Sequence, residues 1–423
     1  VDKKIQELID LTNEKFGLRN YRLERYSLYR KVNVFNDTVY TMVMEWFPKH
    51  VTTQEDDDSN PEGTAVVEIN VHDRKFLSAI FVRGKTYATD GVMFTDVRSN
   101  NIIRWIEDET GLVYGEQFQL DQAKERDFLF KECINGIAIS PSGLIQVTCN
   151  QEGKLISFSA HGQFPPTAMI REESYTLSLD KIKHLAMEQL KLIEFPSNKD
   201  ETLVPVYAIE EIFVQNDGKS TIPYEVFSDT RSYLKIDQTL CWDDPIDTPF
   251  ERQEVSWMEE VTWEQVWLSE RSPDSFPITT EEQTKCLVAV KNLLRQQYPN
   301  DSDQWMVKTL HRDQGHIYAV LRMNNQVNRV FQRKLTIIID TGSYQAVNYM
   351  DNESMLNFFD PFKVANPVSI NKEEAYDNLL ERIELTPCYV YDFEQKQFIL
   401  YGKLDCHYAV NAGSGEVISL ATL

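Results

Sequence analysis

The chain has 423 residues, 42% hydrophobic and 26% charged, with 22 Phe, 19 Tyr and seven Trp. That is too apolar for general disorder and long enough to bury cores without disulfides or metals. Forty-three Lys and Arg against 66 Asp and Glu give a formal net charge of −23, which argues against nucleic acid and anionic membrane as partners.

The first helix is expected from Asp2 to Phe16, where Ile5, Leu8, Ile9, Thr12 and Phe16 keep the helical period and Gly17 stops it. Strands follow near Thr38 to Phe47, Ala65 to Val71 and Phe76 to Val82, with a polar loop, TTQEDDDSNPEG, between the first two. A second helix runs from Asn100 to Thr110, between an N-cap at Ser99 and a stop at Gly111. Its strands lie near Phe128 to Ile134, Leu144 to Cys149 and Lys154 to Ser159.

The third helix is expected from Leu179 to Phe195, capped by Ser178. Strands follow at Val204 to Gln215, Ser220 to Phe227 and Tyr233 to Ile236, the first two joined by an Asn216-Asp217-Gly218 turn. The stretch Asp243 to Pro277 breaks this rhythm. It is rich in Pro and acid, carries Trp257, Trp263 and Trp267, and reads as a linker with a short helix.

A fourth helix spans Thr280 to Gln297, with Thr279 and Glu282 in capping-box positions. Strands are placed at Trp305 to Leu310, Ile317 to Met323, Val330 to Ile339 and Ala346 to Tyr349. The last helix runs from Lys372 to Glu384, with Asn371 and Glu374 in capping positions. The final strands are Tyr389 to Asp392, Phe398 to Leu400, His407 to Val410 and Val417 to Leu420.

This rhythm predicts an α+β protein of tandem units, each one helix packed on an antiparallel sheet of three to four strands. The expected units are 1–97, 98–176 and 177–245, then an acidic Trp-rich linker at 246–277, then 278–366 and 367–423.

Two unit ends resemble each other: LTIIIDTGSYQAVNYM (Leu335 to Met350) and CHYAVNAGSGEVISL (Cys406 to Leu420). The second, with the helix NKEEAYDNLLERI before it, is similar to a PepSY-type module, whose strands meet at a turn of the form V-D/N-A-x-T/S-G-E-V-I. The first has Asp340 in the Asn411 place and Tyr344 where that family prefers Gly. LIQVTCNQEGKLISF (Leu144 to Phe158) and SYLKIDQTLCWD (Ser232 to Asp243) are poorer copies, and AVVEINVHDRKFLSAIF (Ala65 to Phe81) is the poorest. As an array the chain resembles the YcdB/YcdC relatives of PepSY proteins. The resemblance implies a module that binds or restrains peptidases, and it brings no catalytic residues.

Motifs for chemistry are missing. There is no nucleophile elbow, phosphate loop or dinucleotide fingerprint, and Gly413-Ser414-Gly415 reads as a turn. His311 and His316 are five apart without the Glu of a zinc helix, and read as exposed strand or turn residues. Asp56, Asp58 and Asn60 match the first ligand positions of a calcium loop, but Pro61 and Val67 replace the required Gly and Glu. A solvated loop and weak cation binding both stay open there. The linker tryptophans read either as an anchor on a domain or as an aromatic binding surface.

Cys133, Cys149, Cys241, Cys286, Cys388 and Cys406 form no close pairs and read as buried free thiols of a reducing compartment. Charges run throughout the first 30 residues, so the expected location is cytoplasmic, with a removed signal peptide as the open alternative. No catalytic, cofactor-binding or metal-ligating residue is assigned. The expected function is non-enzymatic: binding of a peptide or protein partner at sheet edges or inter-unit clefts. The alternatives are a carboxylate-based hydrolase and a divalent-cation-binding protein.

Overall fold

The computed structural model describes residues 3–51, 59–197, 200–224, 233–256, 261–324, 328–364 and 367–423. Asp56, Asp58 and Trp257 lie outside them. The chain is α+β, and antiparallel sheet dominates. The helices described are α1 (Lys3–Phe16), α2 (Ser99–Thr110), α3 (Leu179–Gln189), α4 (Trp263–Trp267), α5 (Thr280–Gln297), α6 (Glu353–Asn357) and α7 (Lys372–Leu379). No described helix is long and apolar enough to cross a membrane. The chain divides into two units. One comprises Val1–Arg171, Glu259–Ser272 and Cys388–Ile399; the other comprises Glu172–Met258, Pro273–Pro387 and Leu400–Leu423.

The first unit contains β1 (Tyr21–Val32), β2 (Thr38–Pro48), β3 (Ala65–Asn70), β4 (Phe76–Phe81), β5 (Phe118–Lys124), β6 (Asp127–Ile134), β7 (Ile137–Ser140), β8 (Leu144–Cys149) and β9 (Leu155–His161). They pair in the order β1-β2-β3-β4-β9-β8-β6-β7, with β5 also on β6. Period-two alternation drives the inner strands: Ala65, Val67 and Ile69 of β3 point inward. They share one core with Ile5 and Leu8 of α1 and with Ile102 and Ile106 of α2. Neither β1 nor β5 shows that alternation. β1 is an edge strand lined with Arg, Lys and Tyr, a composition that discourages further pairing and hides the strand in the sequence.

The linker residues from Val261 to Ser272 belong to this unit. Thr262 and Gln265 form a capping box on α4, and Val266 is fully buried in the core. Trp263 stacks on Trp267 with ring centres 5.0 Å apart, and Lys4 Nζ lies 4.5 Å from the Trp267 ring. The Tyr40 hydroxyl donates to the Glu270 carbonyl at 2.6 Å. These two tryptophans therefore anchor the segment.

The second unit contains β10 (Leu190–Ser197), β11 (Thr202–Ile209), β12 (Ile212–Gln215), β13 (Thr221–Pro223), β14 (Tyr233–Thr239), β15 (Trp305–Asp313), β16 (His316–Met323), β17 (Lys334–Asp340), β18 (Ala346–Asp351) and β19 (Lys363–Val364). Next come β20 (Glu384–Asp392) and β21 (Gln397–Asp405), whose Cys388–Ile399 stretch belongs to the first unit, and then β22 (Tyr408–Asn411) and β23 (Val417–Ser419). Helix α5 covers the sheet β14-β15-β16-β17-β18, burying Val290, Leu293 and Leu294 with Trp305, Leu310 and Ile337. Both expected capping boxes form, at Thr279 with Glu282 and at Asn371 with Glu374.

Helix α3 is shorter than its sequence suggests. It stops at Gln189, and the residues expected to continue it to Phe195 form β10, paired antiparallel with β11 from Leu190 to Ser197. Pro196 cannot sit inside a helix, and the pairing decides the rest. In the stretch read as a poorer copy of the Asn411 turn, the described residues Tyr233–Thr239 form β14, which pairs with β15.

One order of elements runs twice. Helix α3, β10, β11, β12 and β13 begin at Leu179, Leu190, Thr202, Ile212 and Thr221; α7, β20, β21, β22 and β23 begin at Lys372, Glu384, Gln397, Tyr408 and Val417. The two runs interlock: β11 pairs antiparallel with β22, and β12 with β21. Their helices share one core, including Ile182, Leu185, Ala375 and Leu379.

A second motif recurs. The side-chain oxygens of Asn70, Asp340 and Asn411 each accept a backbone N–H three residues on. The fourth residue on is left-handed, with φ of 61° at Arg74, 55° at Tyr344 and 77° at Gly415. Its N–H returns to the first carbonyl at 3.0, 2.9 and 2.8 Å, respectively. Ala65 to Phe81, the poorest copy by sequence, thus makes the same turn. What the turn needs is an acceptor at its start; Gly is merely the least strained residue at its end.

Candidate functional site

Strand β10 has a cavity on each face. One, of about 200 Å³, is lined by Glu194 and Pro196 of β10 together with Leu203, Leu356 and Phe359. The other, of about 520 Å³, is lined by Lys191, Ile193 and Phe195 with Arg322, Asn352 and Met355. Even and odd residues of a strand face opposite sides, so the two cavities flank one backbone. Arg329, Val330, Phe331 and Gln332 line both.

The backbone between the cavities is a sheet edge. Among the described residues β10 pairs in register with β11 alone. Its outer side carries one parallel rung: the Glu194 N–H donates to the Asn328 carbonyl at 2.5 Å, and the Val330 N–H donates to the Glu194 carbonyl at 3.1 Å. Leu192, two residues away, turns its N–H and carbonyl to the same side.

The rim is aromatic. Phe331 stacks on Phe359 with ring centres 5.7 Å apart, and Phe358 and Phe362 close on Phe359 edge-on. Phe331, Met355 and Phe358 are 44%, 51% and 63% exposed, which leaves apolar surface at the mouth. Two acids of the smaller cavity are held by arginines: Asp360 by Arg329 at 3.1 Å, and Glu353 by Arg333 at 2.6 Å.

Among the described residues, no three His, Cys, Asp or Glu stand together in a way that could hold a metal ion. All six thiols are free; five are buried and Cys241 is exposed. Burial pushes the Cys149 and Cys286 thiols up to about 11, so neither is a thiolate at neutral pH. His311 is buried and stacked on Tyr318 at 5.2 Å, contrary to the exposed position expected for it, because β15 turns it inward. His316 stays partly exposed at the start of β16, with Nδ1 3.0 Å from the Gln314 carbonyl. Asn60, of the calcium-like loop, accepts from Arg25 at 3.2 Å.

Glu132 is a buried carboxylate without a cavity. It accepts the backbone N–H groups of Gly143 and Gln163, each at 2.9 Å, and that of Phe164. Burial pushes its carboxyl pKa up, and the three donors oppose that. Its oxygens are consumed by the fold. A further cavity of about 330 Å³ in the first unit is lined largely by the chain from Thr86 to Met93, with Thr86, Thr89, Asp90 and Lys154 as its polar lining.

The sequence points only faintly to the β10 site. Glu194 lies in a stretch read as helix, and Arg329 to Arg333 precede a strand expected to begin at Val330 but observed from Lys334. The one available signal is the apolar run Phe358-Phe359-Asp360-Pro361-Phe362, unusually aromatic for a loop.

No known protein-family profile matches the chain, and no curated protein sequence does. Among solved structures it is similar to the Bacillus megaterium YpeB C-terminal domain, with a TM-score of 0.25 and 9% identity over 83% of this chain and 97% of that one.

Proposed function

We propose that the chain is a non-enzymatic binding protein whose second unit holds an extended segment of a peptide or protein partner along β10. The observation that carries this reading is the pair of cavities on opposite faces of one edge strand. An added strand sends alternate side chains to its two faces and bonds the edge through its backbone. A compact ligand has no use for that arrangement. With Glu353 and Asp360 already paired, recognition rests on apolar side chains and main chain.

In this reading the two interlocked runs are a duplicated PepSY-like module, and a peptidase is the first partner to try. Six free thiols fit a cytoplasmic setting.

The test is selection of phage-displayed random heptapeptides on the whole chain. Selected peptides, once synthesised, should lose about tenfold in affinity when Phe331 becomes Ala. Selection that yields no binding sequence, or binding indifferent to both Phe331→Ala and Leu203→Ala, overturns the reading.

A further inference from the structure

The edge of β10 has a filled counterpart. In the second run, β20 occupies the place that β10 occupies in the first. A parallel strand lies on β20: Cys388 pairs with Ala138 of β7, Tyr389 with Ile139 and Val390 with Ser140. A parallel neighbour also lies on β10, but it is a single rung, Glu194 with Arg329. Glu194 faces it as Tyr389 faces β7, since Pro141 has no N–H and the Val390 pair is bonded through Ser140. The two neighbours differ in how they are held. Strand β7 is tied on its far side to β6, where Ala138 pairs with Cys133. Arg329 has no such second strand among the described residues, and its neighbours line both cavities.

We infer that β10 accepts a parallel β-strand from a partner, with β7 as the internal template for what fits, and that Asn328 to Val330 are a partial occupant which the partner replaces. Strand β7 reads Ile-Ala-Ile-Ser, uncharged and half β-branched, with Ile139 and Ser140 buried. The partner segment has the same character: short, extended, uncharged and rich in β-branched residues. Its register follows from the rung in place. The residue opposite Glu194 faces its own N–H and carbonyl away. The preceding carbonyl accepts from Glu194 N–H, and the following N–H donates to the Glu194 carbonyl. This inference rests on the peptide-binding reading and adds direction, register and sequence class to it.

The experiment titrates a fluorescent peptide of sequence NGIAISP, that of Asn135 to Pro141, against the full chain. In the inferred register its second isoleucine, the counterpart of Ile139, lies opposite Glu194. Methylating the amide nitrogen of the serine after that isoleucine removes the hydrogen bond to Glu194 and should weaken binding by about tenfold or more. Methylating the nitrogen of that isoleucine, which faces away, should leave binding unchanged. In the protein, Val330→Pro removes the occupant's own N–H and should tighten binding by roughly three- to tenfold.

Equal binding of the two methylated peptides overturns the register. Binding that Val330→Pro leaves unchanged overturns the displacement of Asn328 to Val330. In both cases a loss on Phe331→Ala preserves the broader reading. If neither this peptide nor any phage-selected one binds, both fall.

Discussion

Arg333 grips Asp351 through two parallel hydrogen bonds, Nε to Oδ1 at 2.9 Å and Nη2 to Oδ2 at 2.8 Å. The pair ties the residue before β17 to the end of β18. Tyr298 at the end of α5 donates to the same carboxylate at 2.5 Å, and the guanidinium lies 5.6 Å from the centre of the Trp305 ring. The cavity wall formed by Arg333 and Glu353 is thus braced by the sheet that α5 covers.

Replacing Arg333 with Lys keeps the charge but loses the fork, and should cost about 1–2 kcal/mol. Arg333→Ala leaves Asp351 without its cation and should cost about 3–5 kcal/mol. Urea unfolding measures both. Equal losses would show that the two-pronged geometry is unimportant.

Glu282 supplies the acid sensitivity of α5. Its carboxylate accepts the Thr279 N–H at 2.9 Å, Arg312 Nη2 at 2.6 Å and the Tyr344 hydroxyl at 3.0 Å. Burial alone pushes its pKa up, but these donors outweigh that and lower it from 4.5 to about 2. The stability it contributes is therefore complete above 4.5 and disappears as pH falls from there through about 2. Melting temperatures of the wild type should fall across that window more steeply than those of Glu282→Gln. Parallel curves would rule the linkage out.

Lys396 occupies a left-handed position, φ 53°, at an exposed turn. A side chain there costs free energy that glycine avoids, so Lys396→Gly should stabilise by about 0.5–1 kcal/mol. Gly415, with φ 77°, supplies the reverse case. A Cβ there meets nothing closer than Ile370 at 3.6 Å, so Gly415→Ala should cost about 1 kcal/mol through backbone conformation alone. Chemical denaturation of the two variants should show shifts of opposite sign.

Glu132→Ala strands three backbone N–H groups, that of Gly143 buried and those of Gln163 and Phe164 partly so, and should destabilise by about 3 kcal/mol. Gly143 is bound to the same arrangement: its N–H donates to Glu132, and a Cβ on it would lie 2.3 Å from Gly162 Cα and 2.4 Å from Glu132 Oε2. Gly143→Ala should therefore destabilise as well, and the double variant should lose less than the sum of the singles. Strict additivity would mean that the two act apart.

Much of the local structure was legible in the sequence. The helical period and a capping box at each start placed α5 from Thr280 and α7 from Lys372, because both signals sit within a few residues of the helix they specify. Alternation placed β3 and β8, whose inward residues repeat every second position. Asn216-Asp217-Gly218 marked a turn, and Gly218 adopts φ 72° there.

Only the tertiary structure decided what happens to Leu190 to Ser197. The apolar spacing of that stretch continues the helix before it, yet β11 claims it as a strand. Nor does any local window reveal that β11 and β12 meet β22 and β21, or that Glu194, Arg329 and Phe359 border one groove. The sequence by itself determined where helices begin and which strand faces turn inward, since both depend on neighbours along the chain. Strand pairing and the candidate site depend on which edges remain free once every helix has buried its apolar face, and that follows only from the folded whole.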